Sequence, residues 1–456
     1  MVNLAEPLSP HWRVGAAWLY LSADGNLERN REIRRQRLSP EEVVELDKPD
    51  LSYDEWMEEK EHNYPHMDED DRLFAPCIAI RRDFHVDPHG QMTFCCFIKD
   101  PALRYDLREG TFRECWEAFI PSLTDLVRGG REYVGNCGSC KLRHQCRWCP
   151  VYGYLEHRSF SAKVDYLCAV AMENRRFKEN WKKNHRRFYQ IAGITIRVDS
   201  DLPITDETFL PKFRPFEVGG PGEDTISITH HFFLPDIDGK NLGREVYRKP
   251  PWAIYRKGDS WIYVGISPSH EDGQIHQVAW SNHSHSRLRI YNPSEKIFFK
   301  GGLHSLTLFP TDQILLARAL ADRGSCYLHA SGVVMNGKGL LFAGHSEAGK
   351  STLAMLLKDR AEILCDDRII VRNHSGKIRI HGTWSHGDVE EISPGSAPLS
   401  GIFFLEKSDK NRLISLENTQ EVIAKLLENL IRPFETADWW EKTLMTVGII
   451  AGHVPC

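Results

Sequence analysis

The chain has 456 residues, 41% hydrophobic and 27% charged. That balance fits a soluble protein with length for two to four domains and ample core. A net charge of −5 gives no general case for nucleic-acid binding, and no apolar run is long enough to span a bilayer, so neither nucleic acid nor membrane is an expected partner. No signal peptide is legible, so a cytoplasmic location is expected and the twelve cysteines do not read as a disulfide framework. Nine of them fall between Cys77 and Cys168, which makes metal the better first expectation.

Residues 1–75 open with a possible strand at 12–21, followed by a charged helix over 28–37. Ser39-Pro40-Glu41-Glu42 reads as a helix start, and 53–71 is strongly acidic. Nothing here closes a domain. The segment reads as the last piece of a larger α/β unit.

Residues 76–170 hold a cysteine-rich segment. Cys77 is followed by a G-x4-C unit ending at Cys95, then by Cys137-x2-Cys140-x5-Cys146-x2-Cys149, and finally by Cys168. Four thiols within thirteen residues suit a tetrahedral sulfur site, either zinc or iron–sulfur. The seven-cysteine order resembles the SPASM domain, the auxiliary 4Fe–4S extension of many radical SAM enzymes. The resemblance implies one cluster on Cys137, Cys140, Cys146 and Cys168, with Cys77, Cys95 and Cys149 contributing to a second that would have an open site, borrow Cys96 or be absent. The last pair is spaced x2 where the commoner pattern has x3. A radical SAM enzyme also carries a C-x3-C-x2-C triad, and this chain has none, Cys77 being its first cysteine. Residues 1–75 resemble the end of a radical SAM barrel, so no radical SAM activity is expected of the chain alone. A fragment, a split protein whose partner carries the barrel, or a domain kept for recognition and electron transfer would account for both features.

A basic helical linker is expected over 171–190, with Arg175, Arg176, Lys178, Lys182, Lys183, Arg186 and Arg187 on a solvated face. From 191 to 310 the pattern turns to period two. Strands are expected at 194–198, 225–229, 252–255 and 261–264, with a hairpin turn at Lys257-Gly258-Asp259, together an antiparallel accessory sheet. Thr311-Asp312 then caps an apolar helix over 314–320.

Residues 311–456 carry the clearest motif. Gly344-His345-Ser346-Glu347-Ala348-Gly349-Lys350-Ser351 matches G-x-x-x-x-G-K-[ST], between an apolar run and the helix-forming run that begins at Thr352. Such a loop points successive N–H groups at phosphate oxygens, and the helix N-terminus adds positive potential. Lys350 can reach the outer phosphates, and the Ser351 hydroxyl can ligate magnesium. Upstream, Asn336-Gly337 is a strong hairpin turn signal. As a two-residue turn it pairs residues whose numbers sum to 673, setting His329 opposite Gly344; a four-residue loop would set it opposite Ser346. Downstream, a short helix and the apolar run 361–365 return the chain parallel to the first strand. Asp366 and Asp367 then emerge beside the phosphates.

His329, this loop and an Asp pair sixteen residues after Lys350 resemble the catalytic domain of HPr kinase/phosphorylase, related to phosphoenolpyruvate carboxykinase. The resemblance implies ATP-dependent phosphorylation of a protein serine. Lys350 and Ser351 would serve phosphate and metal, Asp366 and Asp367 would supply metal binding and the general base, and His329 would assist. It also makes 381–388 a substrate-side loop. The stretch His345-Ser346-Glu347-Ala348 lacks the internal glycine of the bifunctional enzymes, which leaves phosphorylase activity and HPr itself outside the expectation. A strand at 401–406 and helices over 421–430 and 438–447 complete the segment, and both chain ends read as trimmed.

The expected fold class is therefore α/β multidomain: a small SPASM-like domain, then a P-loop domain of HPr-kinase type with a β-rich accessory part. The expected function is an ATP- and Mg2+-dependent kinase acting on Ser or Thr of a small protein or ribosomally made peptide, joined to one or two 4Fe–4S clusters. The alternatives are an electron-transfer or recognition partner of a radical SAM protein, or a non-catalytic ATP-binding scaffold.

Overall fold

A computed structural model describes residues 20–47, 70–81, 83–235, 242–249, 252–266, 275–307, 312–433 and 436–456. Most of the strand expected at 12–21, most of the acidic stretch 53–71 and the capping Thr311 lie outside them. The chain forms two compact units, residues 1–182 and 183–456.

In the first unit, helix α1 (Leu27–Gln36) starts at Asn26, whose side chain accepts from Arg29 N. Helix α2 (Pro40–Asp47) starts with the reciprocal bonds of a Ser-x-x-Glu box between Ser39 and Glu42. After α3 (Ala75–Ile80) come three short strands, β1 (His85–Val86), β2 (Gln91–Thr93) and β3 (Tyr105–Asp106), in antiparallel order. Helices α4 (Pro150–His157) and α5 (Asp165–His185) follow. A core around Phe74, Met92, Ile120 and Val151 joins α1, α3, β2, β3 and α4.

Helix α5 stops earlier than the charge pattern predicts. Arg186 and Arg187 belong to β4 (Arg186–Ile191), which pairs with β5 (Ile194–Ser200). The turn between them places Ala192 at φ 50° and Gly193 at φ 77°, the two positive angles of a tight hairpin. Basic residues suit a solvated helix and a partly exposed strand equally, so charge alone could not place this boundary.

The second unit adds β6 (Glu217–Val218), β7 (Thr225–His231), β8 (Arg244–Lys249), β9 (Trp252–Lys257), β10 (Ser260–Ile266), β11 (Ile275–Ser281) and β12 (Arg287–Tyr291). They join β4 and β5 in a nine-stranded sheet of order β6-β4-β5-β7-β12-β11-β10-β9-β8. The sheet is mixed, not antiparallel as expected: β7 runs parallel to both β5 and β12. The long connection through a 3-10 turn at Pro211–Phe216 is what lets β7 return in the same direction as β5.

Helix α6 (Gln313–Ala321) leads into a second sheet of β13 (Ser325–Met335), β14 (Lys338–Ala343), β15 (Glu362–Cys365), β16 (Arg368–His374), β17 (Lys377–His381) and β18 (Ser396–Phe404). Helix α7 (Lys350–Leu357) connects β14 to β15, and α8 (Thr419–Glu428) and α9 (Ala437–His453) follow β18. Strand β13 pairs with β14, β15 and β16, so the ladder β14-β18-β17-β16-β13 closes on itself. One face buries Leu328, Ala330 and Leu341 against Val422 of α8 and Trp439 of α9. The other packs Val333 and Phe342 on Ala354 of α7. A further core runs from Ile194 and Phe213 to Tyr327 and Trp384, so the β-rich region and the P-loop region are packed as one body.

Candidate active site

Strand β13 carries the site. Its hairpin with β14 keeps the register of sum 673 as far as Ala330 opposite Ala343, with Asn336 and Gly337 both at positive φ. His329 therefore comes beside Gly344, where the phosphate-loop motif begins. On the other edge, Gly332 faces Cys365 and His329 faces Arg368, both pairs summing to 697. Between them Ala330 N donates to Asp367 O at 3.0 Å. Strands β15 and β16 are thus one line of backbone along β13, interrupted only at Asp366-Asp367. Strands β14 and β15 both run antiparallel to β13 and hence parallel to each other, joined by α7.

The loop 344–349 ends with Gly349 at φ 100°, the N-cap of α7, a conformation natural only to glycine. His345, Ser346, Glu347 and Thr352 are exposed, and Ala348 is half-buried. Lys350 is buried, and its Nζ donates to Gly344 O at 2.9 Å and His345 O at 3.1 Å, across the mouth of the loop. Burial holds its pKa below the ordinary lysine value, while the charges of Asp367 and Asp366 act to raise it.

The two aspartates have different surroundings. Asp366 is 1% exposed and accepts from Ser351 Oγ at 2.7 Å, Gly387 N at 2.6 Å and Val389 N at 3.1 Å. Asp367 is more open. Its Oδ1 lies 3.1 Å from His329 Nε2 and its Oδ2 lies 3.2 Å from Arg368 Nε. Burial raises the Asp367 pKa, but the His329 hydrogen bond and the charges of Arg368, His329 and Lys350 outweigh it and leave the carboxyl below its usual range. The backbone at His329 is tied to the loop after α8, its main-chain N–H donating to Asn429 O at 2.7 Å.

Ser351 Oγ and the Asp366 carboxylate form a hard-oxygen donor pair suited to magnesium, already held together by a hydrogen bond. The loop 382–389 lies across Asp366 and is anchored by Trp384, whose ring meets Phe213 at a tilt and Phe216 edge-on. Sequence reasoning missed Arg368 and the Gly387 and Val389 amides. Arg368 was within reach, being the next residue after the Asp pair. The amides carry no local signal, because their partner lies more than twenty residues away.

In the first unit the thiol charges act on one another in two sets. Cys137 is influenced by Cys168, Cys146 and Cys140, and burial lifts its thiol first, to about 11. Cys149 is influenced by Cys95 and Cys77, with burial again the main cause of a rise to about 11. Cys95 also feels Cys96. Leu142 N donates to Cys140 Sγ at 3.4 Å, and nearby backbone amides act to lower the thiol values of Cys95, Cys146 and Cys149 against the rise from burial. Amides near sulfur favour thiolates, so the donor chemistry fits a thiolate-bound metal. Among the described residues, however, no three His, Cys, Asp or Glu side chains are closed up into a metal-holding group.

Residues 309–443 match the family described as the SynChlorMet cassette protein ScmC, under a third of the chain. A leucine–tRNA ligase of Ureaplasma parvum serovar 3 is 31% identical over 78 residues, 17% of this chain and 9% of the ligase. The ligase of Ureaplasma urealyticum serovar 10 matches to the same extent, so this chain spans about a tenth of the length of these curated relatives. Among solved structures, the Hpr(Ser) kinase/phosphatase from Coxiella burnetii aligns at 19% identity over 26% of this chain and 93% of its own, with a TM-score of 0.18. That score is too low to assign a fold. The architecture stands on its own strands: α/β, multidomain, with two large mixed sheets. Among the described residues no helix is long and apolar enough to cross a membrane.

Proposed function

We propose that the second unit is an ATP-dependent kinase that phosphorylates a Ser or Thr hydroxyl of a small protein or ribosomally made peptide. The observation that carries this reading is the division of labour between the adjacent carboxylates. Asp366 is tied to the phosphate-loop Ser351, while Asp367 is ionised, more open and oriented by His329 and Arg368. A scaffold that only bound nucleotide would need the first arrangement and not the second.

In the proposed reaction the loop amides and Lys350 hold the β- and γ-phosphates of ATP. Ser351 and Asp366 would hold magnesium, which when bound neutralises charge on the phosphate oxygens. Asp367 accepts the proton of the acceptor hydroxyl as its oxygen bonds to the γ-phosphorus. The bond from that phosphorus to the β–γ bridging oxygen breaks, and ADP leaves. His329 and Arg368 keep Asp367 charged until that proton arrives. The site is built for positioning and charge stabilisation, which is most of what phosphoryl transfer asks of a protein.

The two thiol sets support a companion role for the first unit. There Cys137, Cys140, Cys146 and Cys168 would hold one 4Fe–4S cluster or a zinc ion, and Cys77, Cys95 and Cys149 part of another, for recognition of, or electron exchange with, a radical SAM partner. The test of the kinase is transfer of label from γ-labelled ATP with magnesium to short peptides encoded beside the gene, with Lys350→Ala as control. Label on a peptide Ser or Thr that disappears in the control supports the reading. Nucleotide binding without transfer to any peptide would replace it with the scaffold.

A further inference from the structure

On β13 the side chains of Tyr327, His329, Ser331 and Val333 share one face, by the two-residue alternation of a strand. Three of the four have partners on that face. The Tyr327 hydroxyl donates to Ser385 Oγ at 3.2 Å, and His329 meets Asp367. Val333 packs with Ala354 of α7 and Val389. Ser331 lies between them, fully buried, and its Oγ has no hydrogen-bond partner among the described residues.

The two registers place this hydroxyl closely. Ser331 faces Phe342 on β14. On the other side, the pairs Gly332–Cys365 and His329–Arg368 bracket the bend at Asp366-Asp367, so the backbone of that bend passes beside Ser331. Its Asp366 carboxylate is the one that Ser351, Gly387 and Val389 surround. A buried hydroxyl without a partner is costly, and in native proteins it commonly serves a ligand or an ordered water. Its cross-strand neighbour Phe342 is apolar and offers it nothing.

We propose that Ser331 is a positioning residue of the nucleotide–metal site, its hydroxyl making its hydrogen bond only when a magnesium nucleotide fills the cradle beside Asp366. This rests on the kinase reading above, or at least on its nucleotide site. It separates the effect of the hydroxyl on the empty protein from its effect on the loaded one. Removing it relieves an unpaired group in the first state and removes a bond in the second, so the two effects have opposite sign.

The experiment uses the full chain, wild type against Ser331→Ala, with Ser331→Cys as a variant of similar size and weaker donor. Thermal melts without ligand are compared with calorimetric titration of a magnesium-bound, non-hydrolysable ATP analogue. The expected result is a melting temperature for Ser331→Ala higher by about 1–3 °C without ligand. Its dissociation constant for the analogue should rise about fivefold to tenfold, with Ser331→Cys between the two proteins. Equal affinity in wild type and Ser331→Ala overturns the proposal. So does a lower melting temperature for unliganded Ser331→Ala, which would mean that the hydroxyl is already satisfied in the empty protein. A wild type that does not bind the analogue at all overturns the nucleotide site and this proposal with it, an outcome distinct from the other two.

Discussion

Asp367 stands between His329 and Arg368, 3.1 Å from one and 3.2 Å from the other, each meeting a different carboxylate oxygen. The arrangement keeps the group charged although it is partly buried. Replacing it with Asn keeps the shape and removes the proton acceptor. Asp367→Asn should lower the rate of label transfer by at least about 100-fold while leaving magnesium-nucleotide affinity within a few-fold. Equal transfer by the variant would remove Asp367 from the reaction. The pH dependence of stability has a definite sign. The folded-state pKa of Asp367 is lowered, so its contribution is present above the unfolded carboxylate value and is lost as pH falls through the folded one. Wild type should lose more stability than Asp367→Asn on acidification below about pH 4, read from urea midpoints.

Lys350 Nζ bridges Gly344 O and His345 O. In the proposed reaction it would exchange these carbonyls for phosphate oxygens. Lys350→Ala should weaken ATP binding by about 10-fold to 100-fold, the range for a lost charged hydrogen bond. Unchanged affinity by titration would mean that the loop amides alone account for binding.

Gly387 approaches Asp366 so closely that a Cβ there would lie 3.1 Å from Oδ2 and 3.4 Å from Oδ1. Gly387→Ala should displace the carboxylate without touching the core. A several-fold loss of magnesium dependence in nucleotide binding, with an unchanged melting temperature, is the expected pair of results. A protein that melts much earlier would show the loop to be structural instead.

The parts of this site legible in sequence are those fixed by local rules. Asn336-Gly337 dictates a two-residue turn because both residues tolerate positive φ, and that turn alone sets His329 beside Gly344. Likewise the short run from Lys350 to Asp366 leaves room only for one helix and a return strand. What local rules do not reach is tertiary. Nothing near Arg287 announces that β12 lies parallel to β7, and nothing near Trp384 announces that Phe213 and Phe216 anchor the Asp366 loop. Arg186 and Arg187 read as helix because their neighbours do, and a turn at Ala192-Gly193 overrides them.

Glu347 occupies a left-handed conformation, φ 66°, within the phosphate loop. A non-glycine residue there carries strain of about 1 kcal/mol. Its exposed carboxylate also adds negative charge where phosphates would bind. Glu347→Gly should raise stability by about 0.5–1 kcal/mol in chemical denaturation, the relief being offset in part by glycine's unfolded-state freedom. It should also tighten ATP binding a few-fold at low salt, an effect that fades as salt screens the charge. Weaker binding by the variant would assign Glu347 a direct role in holding nucleotide or acceptor.

The thiol sets make separable predictions. In the proposed assignment Cys137 would group with Cys140, Cys146 and Cys168, and Cys149 with Cys95 and Cys77, the cysteines whose charges act on each. If the sets serve two centres, Cys137→Ser and Cys149→Ser should each remove a different part of the metal bound after anaerobic purification, and the double variant nearly all of it. Iron with acid-labile sulfide and a brown colour would identify clusters, while colourless protein with stoichiometric zinc would identify a structural site. Full metal retention in both single variants would break the link between these cysteines and any metal. Kinase activity in the metal-free protein would then decide whether the first unit contributes to transfer at all. Ser351, Asp366, His329 and Asp367 all lie in the second unit, so activity should survive metal removal from the first when magnesium is resupplied.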